Sequence, residues 1–466
     1  MKVNIIKGDK VGENTDYRDN LPVNMYGVEK VIFGSVGYMR CYPGLTKIAD
    51  GVGTDRGGFY NDRQEEHFRV SGQKLITVAT DGTVTELGTV SGTTQARLCY
   101  SFNTQAVITD GNMYLYDPAG GFRQVTDPDL GSPIDVVWVD GYYFLTDGEY
   151  IYHTDISDEE SIDPLKFATA EFMPDASLGL GKTQDNKVIV FGRYTIEYFV
   201  DSATENFAFS RVETRAQKIG IVATHAKCEV GGTWYITGGR RNESVGVHRV
   251  GLGATEKISS REVDRVLAQY TEPELADMRM ESRKERDMTF VILRLPNETL
   301  CFNENLASVA GIESAWSILK TDITGDTKYR GVNGTYDPRT NQWVYGDNIN
   351  GNIGKLDEEV FTHYDQKVEW LLYTPFLKLE STSLDEIEIQ TIPGHTIDND
   401  ATVAVSLTMD GLTYSKEWFQ MYGEPSDYNQ RFIIRRLGYV NNWIGFKFRG
   451  VTTSRMAFAA MDLRNG

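Results

Sequence analysis

The sequence is poor in the residues that carry chemistry by themselves. Its four cysteines, Cys41, Cys99, Cys228 and Cys301, form no CxxC pair. That excludes a zinc ribbon or redox motif readable from spacing and predicts reduced, buried thiols. The six histidines, His67, His153, His225, His248, His363 and His395, are scattered without an HxH or HxxxH spacing. No Gly-x-Ser-x-Gly elbow presents a nucleophile. Long apolar runs are missing too. The longest lie around Val188–Phe191 and Phe290–Leu295, far short of the roughly 18 residues a spanning helix needs, so no membrane span is expected. The first ten residues, MKVNIIKGDK, lack an apolar core, so no secretory signal is expected. Basic residues are outnumbered: 47 Lys and Arg against 66 Asp and Glu give a net charge of −19. Such a chain gains nothing from counterion release on phosphates, which argues against wrapping DNA.

What remains describes a large folded protein. Hydrophobic residues make up 40% and charged residues 24% of 466 positions, enough for two or three domains. The 45 glycines, 25 tyrosines and 21 phenylalanines point to aromatic strands joined by tight turns. Asp-Gly pairs at Asp81-Gly82, Asp110-Gly111, Asp140-Gly141 and Asp147-Gly148 separate short alternating segments such as Lys74–Ala79, Gln105–Thr109, Met113–Tyr116 and Val136–Val139. Asp-Gly is a strong hairpin signal, because both central residues of a type I′ turn need positive φ. Regular hairpins at this density fit a β-propeller or a β-sandwich array, and the propeller is the expected one. The pattern continues through Lys187–Gly192, Thr195–Val200, Phe207–Val212, Gly232–Thr237 and Val245–Val250.

A helical hairpin interrupts it near residues 259–279. Ser259 and Glu262 have capping-box spacing, and Val263, Val266, Leu267 and Tyr270 share one helical face. Thr271, Pro273 and Glu274 predict a second short helix running to about Arg279. The hairpin braces, docks or plugs something, or merely covers a sheet edge. Strands then resume at Thr289–Leu295, Thr299–Asn303 and Ser314–Leu319. From about Val368 the strands lengthen, at Glu369–Leu379, Glu386–Thr391, Thr402–Met409, Arg431–Gly438 and Trp443–Val451, with a loop at Pro393–Asp400. They read as a separate antiparallel sandwich, with Asp357–Asp365 as the boundary. The expected organisation is all-β. An N-terminal segment (1–60) enters the fold, a propeller-like domain with the helical hairpin follows (61–360), and a C-terminal β-sandwich or platform closes the chain (366–466).

Several motifs have better bland readings. Ala176–Thr183 fits a relaxed phosphate-binding loop, but Gln184–Lys187 follows as a turn where a helix N-terminus is needed. A glycine-rich loop between blades is the better account. Thr408–Tyr414 resembles the Asp-box hairpin of sialidase-type propellers, without the residue between Asp and Gly, and reads as an ordinary hairpin. The acidic run Asp155, Asp158, Glu159, Glu160 and Asp163 lacks the ligand spacing and central glycine of a calcium loop and reads as a solvated loop. Arg279, Arg283, Lys284 and Arg286 are interleaved with Glu281, Glu285 and Asp287, giving a mixed-charge turn. No catalytic, cofactor-binding or metal-ligating residue is assigned, and the residues of any partner interface stay unknown.

A series of blocks extends the reading. They are Asp19–Met25, Gly37–Lys47, Arg56–Asn61, Phe68–Leu75, Thr195–Phe199, Gln217-Lys218, Leu295-Pro296, Tyr329–Gly331, Leu371–Pro375, Thr408–Tyr414 and Trp443–Lys447. In this order the chain resembles the packaged-DNA stabilisation proteins, the tail hub or nozzle proteins of short-tailed (podovirus-type) phages. Departures fall in Ala119–Leu130, Pro393–Asp400 and around Lys218–Gly220. The resemblance implies a non-enzymatic virion tail protein, assembled in the host cytoplasm as a hexameric ring below the portal and its adaptor. Such a ring closes the DNA exit channel and carries tailspikes or fibres and a needle or plug. DNA passes through it without sequence-specific binding, and an acidic lumen would keep DNA from sticking. The alternative is a propeller-type glycoside hydrolase or depolymerase acting on host surface polysaccharide, which needs two carboxylates about 5–9 Å apart.

Overall fold

The computed structural model describes residues 2–465 except 12–16, 157, 171, 205, 206, 252, 326, 398–400 and 452. Among the described residues, strands dominate and helices are short. Seven antiparallel sheets, the blades, follow one another from Asp55 to Asp357. Blade one runs over Asp55–Thr89, two over Arg97–Gln124, three over Asp135–Ala168 and four over Ser177–Arg211. Blade five spans Gly220–Lys257, six Arg279–Leu319 and seven Gly331–Asp357. The first strands of blades one to four lie side by side, as do those of blades five, six, seven and one, and blade four meets blade five where Val188–Gly192 contacts Gly220–Ile221. The ring is therefore closed, a β-propeller.

Local chemistry explains the turns. Asp110 and Gly111, and likewise Asp140 and Gly141, all have positive φ, as a type I′ hairpin requires. The other two Asp-Gly turns differ: only Gly82 and Gly148 have positive φ. There the Asp side chain shapes the turn, Asp81 accepting from the Thr83 N–H at 2.9 Å and Asp147 from Tyr150 N–H at 2.7 Å. Apolar faces pack between blades. Phe68, Val70 and Leu75 of blade one meet Leu98, Val107 and Tyr114 of blade two. Each such buried side chain contributes about 1.5–3 kcal/mol.

Residues 1–60, expected as one segment entering the fold, are shared between the two domains. Gly44–Asp50 is the fourth strand of blade seven, pairing antiparallel with Asn352–Asp357, so a strand from the chain's start completes the last blade. Lys2–Asn4 and the hairpin Met25–Ile32 with Ser35–Cys41 join the C-terminal strands Ala457–Asn465, Thr382–Thr391 and Phe432–Val440 in one sheet. The facing sheet contains Trp370–Tyr373, Leu377–Lys378, Trp443–Gly450, Thr402–Thr408 and Trp418–Met421. Between them Phe432, Phe446, Phe448 and Phe458 form an apolar core. Thr362–His363 and Gln366–Lys367 still extend the blade-seven sheet, and the sandwich proper resumes at Trp370. Asn399 and Asp400 of the expected loop lie outside the described residues.

The two domains are fastened at Val23 and Asn24. Val23 bridges Leu371 of the sandwich and Ile318 of blade six. The buried Asn24 amide donates to Lys320 O (2.9 Å) and Glu369 O (2.7 Å), and its carbonyl accepts from Lys320 N–H (2.9 Å). One apolar cluster runs across the junction, from Phe191 and Trp234 to Phe446 and Phe458.

The helical hairpin is shorter than its periodicity predicts. It contains Arg261–Leu267 and Glu272–Leu275, and Arg279 already begins a strand. Ser260, not Ser259, caps the first helix by accepting from Val263 N–H. Ser259 instead donates to Asp264 at 2.6 Å. The Thr271–Glu274 capping box forms as expected from spacing. A third helix, Glu304–Ala310, was not expected from the sequence pattern; Asn303 caps it.

Candidate functional site: the charged propeller axis

The axis is walled by the first strands: Asp55–Asn61, Arg97–Tyr100, Asp135–Val139, Ser177–Lys182, Lys227–Val230, Arg279–Glu285 and Gly331–Asp337. In blade five this strand is split, Gly220–Ile221 and Lys227–Val230 both pairing with Thr233–Gly239. Two open cavities, of about 760 and 710 Å³, lie along the axis. Gln95, His225 and Arg279 line both and form the waist between them. Glu274, Ala276 and Asp277 line the smaller cavity, so the second helix and the turn after it border that mouth.

Charged groups converge below the cavity walls. Arg69 donates to Asp55 at 2.7 Å, and Asn333 donates to the other Asp55 oxygen at 2.7 Å. Arg294 forks onto Glu281 at 2.9 and 3.2 Å. Asp135 is fully buried and meets Lys227 at 2.7 Å and Arg97 at 3.3 Å, while accepting from Leu180 N–H at 2.7 Å. Burial alone would raise its pKa, but Lys227 and Arg97 hold it below the ordinary carboxylate range. Glu281 is held down in the same way by Arg294 and Arg279. Burial, reinforced by Lys227, pushes His225 down to about 3, so the waist imidazole is neutral at pH 7. These pairs make a rigid wall that places cations at fixed positions.

The motifs singled out in the sequence fall into place around this axis. Arg279, Arg283 and Lys284 are not a turn: they stand on the first strand of blade six, and only Arg286 reaches the turn beyond it. Arg283 is buried, its guanidinium 4.5 Å from the Phe290 ring centre and 5.0 Å from that of Tyr42. Mixed charge looks solvated in sequence, yet here Glu281 is paired with Arg294 of the neighbouring strand and Arg283 is buried against aromatic rings. Ala176–Thr183 is likewise not a loop; Ser177–Lys182 is the first strand of blade four. Its glycines allow close approach: a Cβ at Gly179 would lie 2.9 Å from the Lys227 side chain, and one at Gly181 would lie 2.6 Å from Trp234.

The acidic run of blade three is engaged throughout. Asp155 meets Lys166 at 2.9 Å, Glu159 accepts from Thr104 at 2.5 Å, and Glu160 pairs with Arg123. Asp158 and Asp163 accept from the backbone N–H groups of Glu160 and Leu165. Among the described residues, no group of His, Cys, Asp and Glu is arranged to hold a metal ion. Asp410 lies in the sandwich, not the propeller, and ties its own turn by accepting from Leu412 and Thr413 N–H. His67, His153, His248 and His363 are buried, while His395 is exposed beside Tyr428. All four cysteines are free thiols, and Cys99 alone is not fully buried.

A closed propeller with a charge-lined axis, locked to a β-sandwich through a shared core, defines a rigid scaffold. Residues 1–361 match the family described as bacteriophage P22 Gp10, beta-propeller, and residues 369–466 match bacteriophage P22 Gp10, beta-sandwich. The chain belongs to this family. It is 30% identical over 470 residues to the tail hub protein gp10 of Salmonella phage P22, covering 97% of this chain and 96% of that one. It is accordingly an all-β structural protein of a phage virion tail. Among solved structures, the N-terminal domain of Nup159 aligns with a TM-score of 0.41 at 10% identity over 68% of this chain and 94% of that one. Streptogramin B lyase aligns with a TM-score of 0.42 at 11% identity, over 67% and 96%. Neither likeness carries a functional argument.

Proposed function

We propose that this chain forms the hub of a short tail, a hexameric ring below the portal and its adaptor. The ring retains packaged DNA by closing the exit channel and offers its flank to tailspikes or fibres and its tip to a needle or plug. The observation that carries this reading is the end-to-end similarity to a tail hub protein, across both domains and at equal length. The rigid junction at Asn24 supports it, since a ring under DNA pressure needs protomers that do not bend. The net charge of −19 supports a carboxylate-rich lumen, repelling DNA over a Debye length of about 8–10 Å. That lumen is a surface between protomers, distinct from the axis within each propeller.

The job is static binding without turnover. Electron microscopy of the purified protein mixed with its adaptor is expected to show rings seated on portal–adaptor complexes. Chains that stay monomeric and never join such complexes overturn the proposal. Release of sugars from host surface polysaccharide by the purified protein would replace it with the depolymerase reading.

A further inference from the structure

The larger axial cavity collects cations against the trend of the whole chain. Arg63, Arg97, Lys182, Lys227 and Arg279 line it, with Glu229 and Glu281 as the lining carboxylates. Glu281 is taken by Arg294, and Glu229 accepts from the Gly232 N–H. Arg97 and Lys227 share the single carboxylate of Asp135. Arg63, Lys182 and Arg279 have no carboxylate partner within ion-pairing distance among the described residues. In a protein with nineteen surplus negative charges, three unpaired cations around one cavity need an explanation.

Arg63 and Lys182 are held by aromatic rings rather than anions, and Arg279 by a neutral amide. The Arg63 guanidinium lies 4.6 Å from the Phe102 ring centre. Phe102 is 60% exposed and packs edge-on against Trp138, with ring centres 4.8 Å apart. Lys182 lies 5.3 Å from the Trp138 ring centre and donates to the Trp138 carbonyl at 3.3 Å. Deeper in, the Arg279 guanidinium donates to the Gln95 side chain at the waist. A cation–π contact positions a charge without neutralising it. The arrangement therefore presents fixed, preorganised donors along one open cavity from rim to waist.

We propose that this cavity is a docking site for an extended acidic segment of a partner protein, whose carboxylates engage Arg63, Lys182 and Arg279. Charge-assisted hydrogen bonds of this kind are the strong ones, and the guanidinium fork suits carboxylates. Single-stranded nucleic acid fits less well. Its binding draws on bases stacking over aromatic faces, and the protein's own cations already occupy the faces of Phe102 and Trp138. The proposal does not depend on the ring reading, because the cavity lies within one protomer.

The test uses the full-length protein and a fluorescein-labelled hexaglutamate peptide, followed by fluorescence anisotropy at low ionic strength. Saturable binding is expected, weakened about tenfold or more in Arg63→Gln/Lys182→Gln and in Arg279→Met. Raising the salt to about 0.15 M is expected to weaken it further. The general acidity of the chain suppresses non-specific background. Arg279→Met is expected to keep the circular dichroism spectrum and cooperative melt of the unsubstituted protein, since Arg279 is only half-buried at an open cavity and its side-chain hydrogen bond is to Gln95. That separates lost binding from lost folding. Absence of saturable peptide binding overturns the proposal, as does binding that both variants leave unchanged. Inorganic phosphate displacing the peptide at equal concentration assigns the cavity to small oxyanions and overturns the docking claim. Tighter binding of a labelled hexathymidylate overturns it in favour of nucleic acid.

Discussion

The propeller axis and the outer face of the sandwich use the same ion pairs in opposite surroundings. On the axis, Asp135 and Lys227 meet with both side chains almost wholly buried. On the sandwich, Glu386 and Glu388 meet Arg431, Arg435 and Arg464, whose side chains are each more than half exposed. Water already solvates the second set, so those contacts add little. The first set has lost its water, so each charge depends on its partner, and removing one leaves the other stranded. The sandwich keeps its interior apolar and its charges outside; the propeller builds charges into its centre. Stability and geometric precision are thus separately located, the first in apolar cores and the second along the axis.

The sharpest way to break this comparison is Asp135→Ala. It strands Lys227 and Arg97 and removes the acceptor for Leu180 N–H. The expected loss is about 3–5 kcal/mol, read from urea unfolding. Asn24→Ala is expected to cost about 2–3 kcal/mol by orphaning Lys320 N–H and two carbonyls. A second unfolding transition should then separate the domains in calorimetry. A single unshifted transition would mean the shared apolar cluster suffices as the fastening.

Acid sharpens the contrast next. An unfolded histidine takes its proton near pH 6.5, but burial holds His67 to about 4 and His225 and His363 to about 3. Between these values the unfolded chain binds more protons, so stability is full above pH 6.5 and falls as pH drops through this window. All three histidines lie in the propeller sheets or on its axis. Hydrogen exchange is therefore expected to show propeller strands losing protection before the sandwich strands. His225→Gln is expected to flatten the pH dependence. The smallest effect belongs to Glu388→Ala, at most about 1 kcal/mol and reduced by salt, in thermal melts at two ionic strengths.

Local patterns in the sequence carried much of this architecture and little of the axis. Alternation and Asp-Gly turns mark the hairpins because those signals lie within ten residues of each other. The strand Gly44–Asp50 gives no such signal, since its partner Asn352–Asp357 lies about three hundred residues away. The hairpin Met25–Cys41 pairs locally but turns at Phe33-Gly34 without an Asp-Gly pair, and its sheet neighbour begins only at Ala457. The axis was hidden differently. Arg279, Glu281 and Arg283 have the composition of a solvated turn; Arg294 faces Arg279 across their own hairpin, and ring closure brings Asp55 and Asn333 to the same axis. Gly179 and Gly181 mimic a phosphate loop because close strand packing and phosphate contact both require a missing Cβ. The Asp19–Met25 block was recognisable, and the fastening role of Asn24 gives a physical reason for its form.

The strand that completes blade seven bears on the life of the nascent chain. Gly44–Asp50 leaves the ribosome early but has no partner until residue 357 has emerged, and Lys2–Asn4 waits for Met461 and Asp462. Both domains thus stay unfinished until those late residues have been made. A prematurely terminated product lacks the edges it needs to close and exposes unpaired strands. Truncation before Asn352 therefore leaves Gly44–Asp50 without its antiparallel partner, and truncation before Ala460 does the same to Lys2–Asn4.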